Sequence, residues 1–143
     1  MGEKVNLEVQ LTDPDGMAFR AVLPTGHEVL MDAAEESGGQ NLGARPLQLL
    51  LVGLAGCTGM DVVSFLRKMR QPVEGYRIEV EGERAEDHPK VFTHIHLRHI
   101  VVGRVAEDRL AKAVELSEAK YCSAHAMLRS VARITTTWEV QSA

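Results

Sequence analysis

Two cysteines, Cys57 and Cys122, carry the most distinctive chemistry in this chain. They stand far apart, so they are not a CxxC pair, and two thiols are too few for a zinc knuckle. Their spacing is compatible with a pair that the fold brings together. A thiolate can attack a peroxide O–O bond and become a sulfenic acid, and a nearby thiol then condenses with it before oxidation goes further. An external thiol or dithiol reduces the resulting disulfide by exchange. The N-terminal stretch MGEKVNLEVQ lacks a positive segment followed by an apolar one. No secretory signal is therefore expected, and the cysteines are expected in the reducing cytoplasm, where a structural disulfide is disfavoured. The competing reading makes each cysteine a small buried packing residue.

Other side chains could support or replace this chemistry. His125 lies three residues after Cys122, within reach on a helix, as a base or cation for a thiol. The preferred reading of His125 is an ordinary surface position on a helix, with the thiol-supporting role as its alternative. His94 and His96 would share one strand face and His99 the other. Two imidazoles without a third ligand do not make a metal site, so no metal is expected. Asp61 falls one helical turn after Cys57, where a carboxylate raises rather than lowers a thiol pKa. It is therefore assigned to pairing with a cation or capping a neighbouring segment.

The elements that must position these residues follow from periodicity. Val5, Leu7, Val9 and Leu11 alternate with polar residues, as do Met17, Phe19, Ala21 and Leu23, with the turn Pro14-Asp15-Gly16 between them. A second turn, Pro24-Thr25-Gly26, leads to a short third strand from His27 to Met31. Asp32 to Arg45 is rich in Gly, Ala and Glu and reads as a surface loop. Pro46 suits the first position of a helix. From there to Met69 no strand period appears, and the segment is apolar on nearly every side up to Leu66, as a buried helix would be. Arg67, Lys68 and Arg70 suit its C-terminus as a solvated cationic face. Gly53, Gly56 and Gly59 recur within it, each costing about 1 kcal/mol relative to alanine, which points to close approach by another backbone or a ligand.

Tyr76, Ile78, Val80 and Gly82 alternate, and so do Val91, Thr93, Ile95, Leu97 and His99, giving a second hairpin. Glu107 to Tyr121 reads as a helix with Leu110, Ala113, Val114 and Leu116 on its apolar stripe. Cys122 ends it. Ser123 to Val131 reads as a short third helix and Ile134 to Val140 as a last strand. The order is β-β-β-α-β-β-α-α-β, an α+β arrangement in one domain spanning residues 1–143. One small sheet can cover only one side of an all-apolar helix, so a second subunit is expected on the other side.

The chain has 143 residues, is 45% hydrophobic and 25% charged, and has a formal net charge of -4. An acidic balance argues against nucleic acid as a partner, because phosphate binding needs a basic face. The longest apolar run, Leu47 to Ala55, is short of the roughly 20 residues that span a bilayer, so no membrane association is expected.

Two separate motifs resemble the OsmC/Ohr family. Pro46-x-x-Leu49-Leu50 leading to Gly53-Leu54-Ala55-Gly56-Cys57-Thr58 and Asp61-Val62-Val63 is similar to the family's first cysteine helix. Lys120-Tyr121-Cys122-Ser123 is similar to its second cysteine motif, and the hairpin from Gly75 to Val102 stands between them in the family order. The resemblance implies an OsmC-like fold, with antiparallel sheets packed on a long buried cysteine-bearing helix, and an intertwined homodimer with active sites at the subunit interface. It implies a thiol-dependent peroxidase acting on organic hydroperoxides and hydrogen peroxide in oxidative stress defence. Cys57 would be the peroxidatic cysteine and Cys122 the resolving one, with a dithiol reductant and no cofactor. The alternative is a non-catalytic redox sensor or a binder of small hydrophobic ligands. Active family members carry a glutamate just after the helix-starting proline, where this chain has Leu47 and Gln48. Gln48 is then the candidate acceptor, and Arg20 and Arg45 are the candidate cations for lowering a thiol pKa.

Overall fold

The computed structural model describes residues 2–142. The chain divides into two compact units, Met1–Leu50 and Leu51–Ala143.

The first unit is a three-stranded antiparallel meander of β1 (Glu8–Leu11), β2 (Phe19–Val22) and β3 (Glu28–Met31). The β1–β2 turn forms because the Asp13 side chain accepts the Asp15 N–H and its carbonyl accepts that of Gly16, both at 2.9 Å. Gly26 sits at φ 87° in the next turn, a left-handed conformation that glycine adopts without steric cost. The strands are shorter than their alternation suggests, since Val5 and Leu7 precede β1. Their apolar residues are also largely uncovered: Val9, Leu11 and Phe19 all remain exposed. The glycine-rich loop after β3 is ordered by one side chain. The buried Asp32 carboxylate accepts the N–H groups of Ala33 (2.7 Å), Gln40 (3.0 Å) and Leu42 (3.1 Å).

Helix α1 (Pro46–Lys68) starts at the expected proline and runs on into the second unit. There it joins a sheet of β4 (Val73–Arg84), β5 (Phe92–Gly103) and β6 (Arg133–Gln141), with β5 in the middle. The β4–β5 pair is antiparallel, as a hairpin must be. β6 runs parallel to β5, so this sheet is mixed rather than antiparallel. The parallel pairing needs a long crossover, and helices α2 (Glu107–Leu116) and α3 (Ser123–Leu128) supply it. Residues Ser117–Tyr121, expected as the last turns of α2, widen into a π-turn. Val62 and Leu66 of α1 pack with Val101, Val105, Leu110, Ala113 and Val114 to form the core cluster.

Within the described residues α1 is covered on one stripe rather than all round. Leu54, Thr58, Gly59, Val62 and Leu66 are buried, while Val52 is 63% and Met60 77% exposed. The three glycines divide in the same way. A Cβ on Gly59 would lie 3.1 Å from Ile78 Cδ1, whereas Gly53 and Gly56 face open space. Taken whole, rather than as the run Leu47 to Ala55, α1 is long and apolar enough by length and composition to cross a bilayer.

Candidate functional site

The two cysteines meet in the second unit. Cys57 lies on α1 and is half-buried. Cys122 lies at the junction of the π-turn and α3, 3% exposed. Both are free thiols, and their side chains are within interaction range of each other. This junction exists because the π-turn ends the α2 helix: the Cys122 N–H bonds to the Ser117 carbonyl at 2.8 Å, and its backbone then turns extended. Cys122 becomes the N-cap of α3, with Sγ accepting the His125 N–H at 3.4 Å.

The environments of the two thiols differ. Burial pushes the Cys122 thiol up to about 12, and the neighbouring Cys57 and the Asp61 charge push the same way; the His125 N–H opposes them. Cys122 is therefore a thiol, not a thiolate, at neutral pH. Cys57 is the more accessible of the two.

His125 is buried, contrary to the surface position preferred for it. Its Nε2 lies 3.2 Å from Glu118 Oε2, which also accepts from the Thr136 hydroxyl at 2.6 Å. Its Nδ1 is buried without a hydrogen-bond partner among the described residues. Among the described residues Asp61 neither pairs with a cation nor caps a segment: it accepts the Ser117 hydroxyl at 2.8 Å.

Gln48, Arg20 and Arg45 belong to the first unit, and their contacts are local. Gln48 Oε1 accepts the backbone N–H of Arg45 at 3.0 Å, while the Gln48 N–H returns to the Arg45 carbonyl. The Gln48 side chain makes the back-bond of a capping box at the start of α1, while the return bond is an ordinary backbone turn. Gln48 thus meets Arg45 through its backbone rather than its guanidinium. The Arg45 side chain donates to the Gly43 carbonyl at 3.2 Å, and its charge helps stabilise the Asp32 carboxylate. Arg20 pairs with Glu28 across β2 and β3 at 3.6 Å, both side chains more than half exposed. A surface pair of that kind contributes little.

The histidines of β5 are occupied separately. His94 and His96 both meet the Thr135 hydroxyl, at 2.8 and 2.7 Å. His99 is fully buried against Tyr76. An open groove of about 760 Å³ runs along α1. Gly56, Met60, Val63 and Ile78 make its apolar wall, and Arg67 and Arg77 stand at its rim. Sequence reasoning did not find Ser117, Thr58 or Glu118. Thr58 stood out only as a polar residue in an apolar helix, and Ser117 and Glu118 were two of many polar residues in a mostly polar segment.

Residues 38–137 match the family model described as OsmC-like protein. Protein YhfA of Escherichia coli K12 is 40% identical over 130 residues, covering 90% of this chain and 94% of that protein. A crystal structure of an Aquifex aeolicus VF5 protein superposes with a TM-score of 0.87 at 34% identity, covering 99% of each chain. The organic hydroperoxide resistance protein OhrB of Bacillus subtilis superposes with a TM-score of 0.64 at 15% identity, covering 96% of this chain and 98% of that one. At that identity the likeness is one of fold.

Proposed function

The chain belongs to the OsmC-like family, and from that premise we propose that it is a thiol-dependent hydroperoxidase acting through Cys57 and Cys122. The observation that carries this reading is the proximity of two free thiols, one half-buried on α1 and one buried in its neutral form at the N-cap of α3. The buried neutral thiol cannot be the first nucleophile, because the thiolate is the attacking species. Cys57 is then the peroxidatic residue. Its thiolate attacks the O–O bond of ROOH, giving Cys57–SOH and RO⁻, which takes a proton to leave as an alcohol. Cys122 gives up its proton as its sulfur attacks the oxidised Cys57 sulfur; the S–O bond breaks, the disulfide forms, and the hydroxide takes the proton to depart as water. An external dithiol returns both cysteines to thiols and is itself oxidised to a disulfide. Organic hydroperoxides are the preferred substrates, with hydrogen peroxide a lesser one, and no metal or organic cofactor takes part.

The working unit of this reading is a homodimer in the cytoplasm. Its support is the apolar surface left uncovered in the single chain: Val52 and Met60 on α1, and Val9, Leu11 and Phe19 on the first sheet. Exposed apolar residues on each unit are what an interaction face leaves uncovered, and a second copy would cover them. A competing reading, binding of a small hydrophobic ligand without catalysis, draws on the groove beside α1.

One experiment separates the two. The purified protein is treated with cumene hydroperoxide or hydrogen peroxide, and peroxide loss is followed with dithiothreitol or dihydrolipoamide as reductant. The expected result is turnover, an intramolecular Cys57–Cys122 disulfide by mass, and loss of turnover in Cys57→Ser. Intact thiols and no turnover would favour the ligand-binding reading.

A further inference from the structure

Beside the thiol pair stands a small polar network that the peroxide chemistry does not use. Thr58 Oγ1 lies 3.0 Å from Ser117 Oγ, and Ser117 Oγ donates to Asp61 Oδ2 at 2.8 Å. Because the Ser117 proton goes to the carboxylate, its oxygen is left to accept from Thr58. Thr58 and Ser117 are both fully buried. Thr58 directly follows Cys57 on α1, and Asp61 lies one turn beyond it. Ser117 opens the π-turn, and its backbone carbonyl holds the N–H of Cys122 at 2.8 Å. One residue therefore ties the two cysteine segments together, its side chain on α1 and its backbone on Cys122.

The π-turn itself is informative. Glu107 to Tyr121 contains no glycine or proline that would force a helix out of its regular pattern. Such widenings occur mostly at functional positions. Here the extra residue swings Cys122 out of the α2 spiral at the point where the Ser117–Asp61 bond anchors it. The Asp61 charge also reaches the pair, and a carboxylate beside a thiol opposes loss of its proton.

We propose that Asp61 is a positioning residue for the thiol pair: acting through Ser117, it holds Cys122 against Cys57 and keeps Cys122 as the second-acting thiol. The inference rests on reading Cys57 and Cys122 as a redox pair. It goes beyond that reading by assigning the order of the two thiols, and the speed of their closure, to a carboxylate that touches neither peroxide nor reductant.

Diamide provides a test that needs no peroxide. It takes two electrons and two protons from the pair, so one S–S bond forms as two S–H bonds are lost. Ser117→Ala removes the tie, and Asp61→Asn keeps an oxygen for Ser117 while removing the charge. In Ser117→Ala, disulfide closure read by quenched mass spectrometry is expected to slow by about tenfold with the circular dichroism spectrum unchanged. In Asp61→Asn on a Cys57→Ser background, alkylation of Cys122 by iodoacetamide at fixed pH is expected to rise by more than about twofold, because removing the carboxylate favours the thiolate. A purely structural Asp61 would not speed that reaction. Should Ser117→Ala fail to fold, the alkylation rate in Asp61→Asn decides alone. Closure and alkylation rates unchanged within about twofold, well under one pKa unit, overturn the proposal. Absence of peroxide turnover in the unaltered protein overturns the peroxidase reading instead, because neither diamide closure nor alkylation depends on it.

Discussion

The Tyr76 hydroxyl and His99 Nδ1 lie 2.6 Å apart, joining neighbouring strands beneath α1. The two rings stack at 5.9 Å, His99 has no solvent exposure, and its Nε2 has no hydrogen-bond partner among the described residues. Burial disfavours a charge on that imidazole, so it lowers its pKa from 6.5 to about 4, and burial raises that of the Tyr76 phenol.

A pH dependence of stability follows. The unfolded chain protonates His99 near 6.5, while the folded protein resists until about 4. Between those values the unfolded state binds more protons, so stability falls as pH falls and the loss is complete below pH 4. The neutral-histidine contribution is fully present above pH 6.5 and amounts to about 3 kcal/mol across the window. Urea denaturation at a series of pH values should show a slope in this window that is smaller in His99→Gln. An equal slope in the variant would remove His99 as its source.

The cysteines should separate by role under peroxide. Cys57→Ser is expected to abolish turnover, while Cys122→Ser should still consume about two equivalents of peroxide, one forming the sulfenic acid of Cys57 and a second oxidising it further. Without a resolving thiol, Cys57 should then accumulate as sulfinic acid, read as a two-oxygen mass gain. Full turnover by Cys122→Ser would show that the reductant attacks the sulfenic acid directly.

Gly82 should tolerate no side chain. A Cβ there would lie 2.8 Å from Phe92 Cε1 and 3.0 Å from Leu51 Cδ1, between the sheet and α1. Gly82→Ala is expected to cost about 1–3 kcal/mol by overpacking. Chemical denaturation measures it, and a neutral result would mean that the Phe92 ring moves aside freely.

Met60 tests the dimer. It is 77% exposed in the single chain, so Met60→Lys should alter protomer stability by no more than about 0.5 kcal/mol. If a second copy covers this face, the buried lysine should shift gel filtration from dimer to monomer. A variant that elutes with the unaltered protein would place the interface elsewhere.

Much of the architecture was legible in the residues. Alternation located five of the six strands, a turn signal located β3, and Pro46 marked the start of α1, because side-chain period and proline sterics act within a few residues. The β1 boundary was less legible. Val5 and Leu7 continue the alternation but lie outside the strand, since pairing with β2 ends it at Glu8. The direction of β6 was not legible at all: no residue of Ile134 to Val140 records whether its neighbour runs parallel.

By itself the sequence determined which chemistry was available: two thiols in motifs of the right order, on segments whose periods made them helices. Only the tertiary structure decided how the thiols differ. Cys122 is buried because the chain widens at Ser117 and turns it inward, and Asp61 reaches Ser117 because α1 lies alongside that turn. Burial and charge proximity act through space between segments distant in the chain, and one-dimensional spacing does not encode the dielectric or the neighbours that a folded thiol meets.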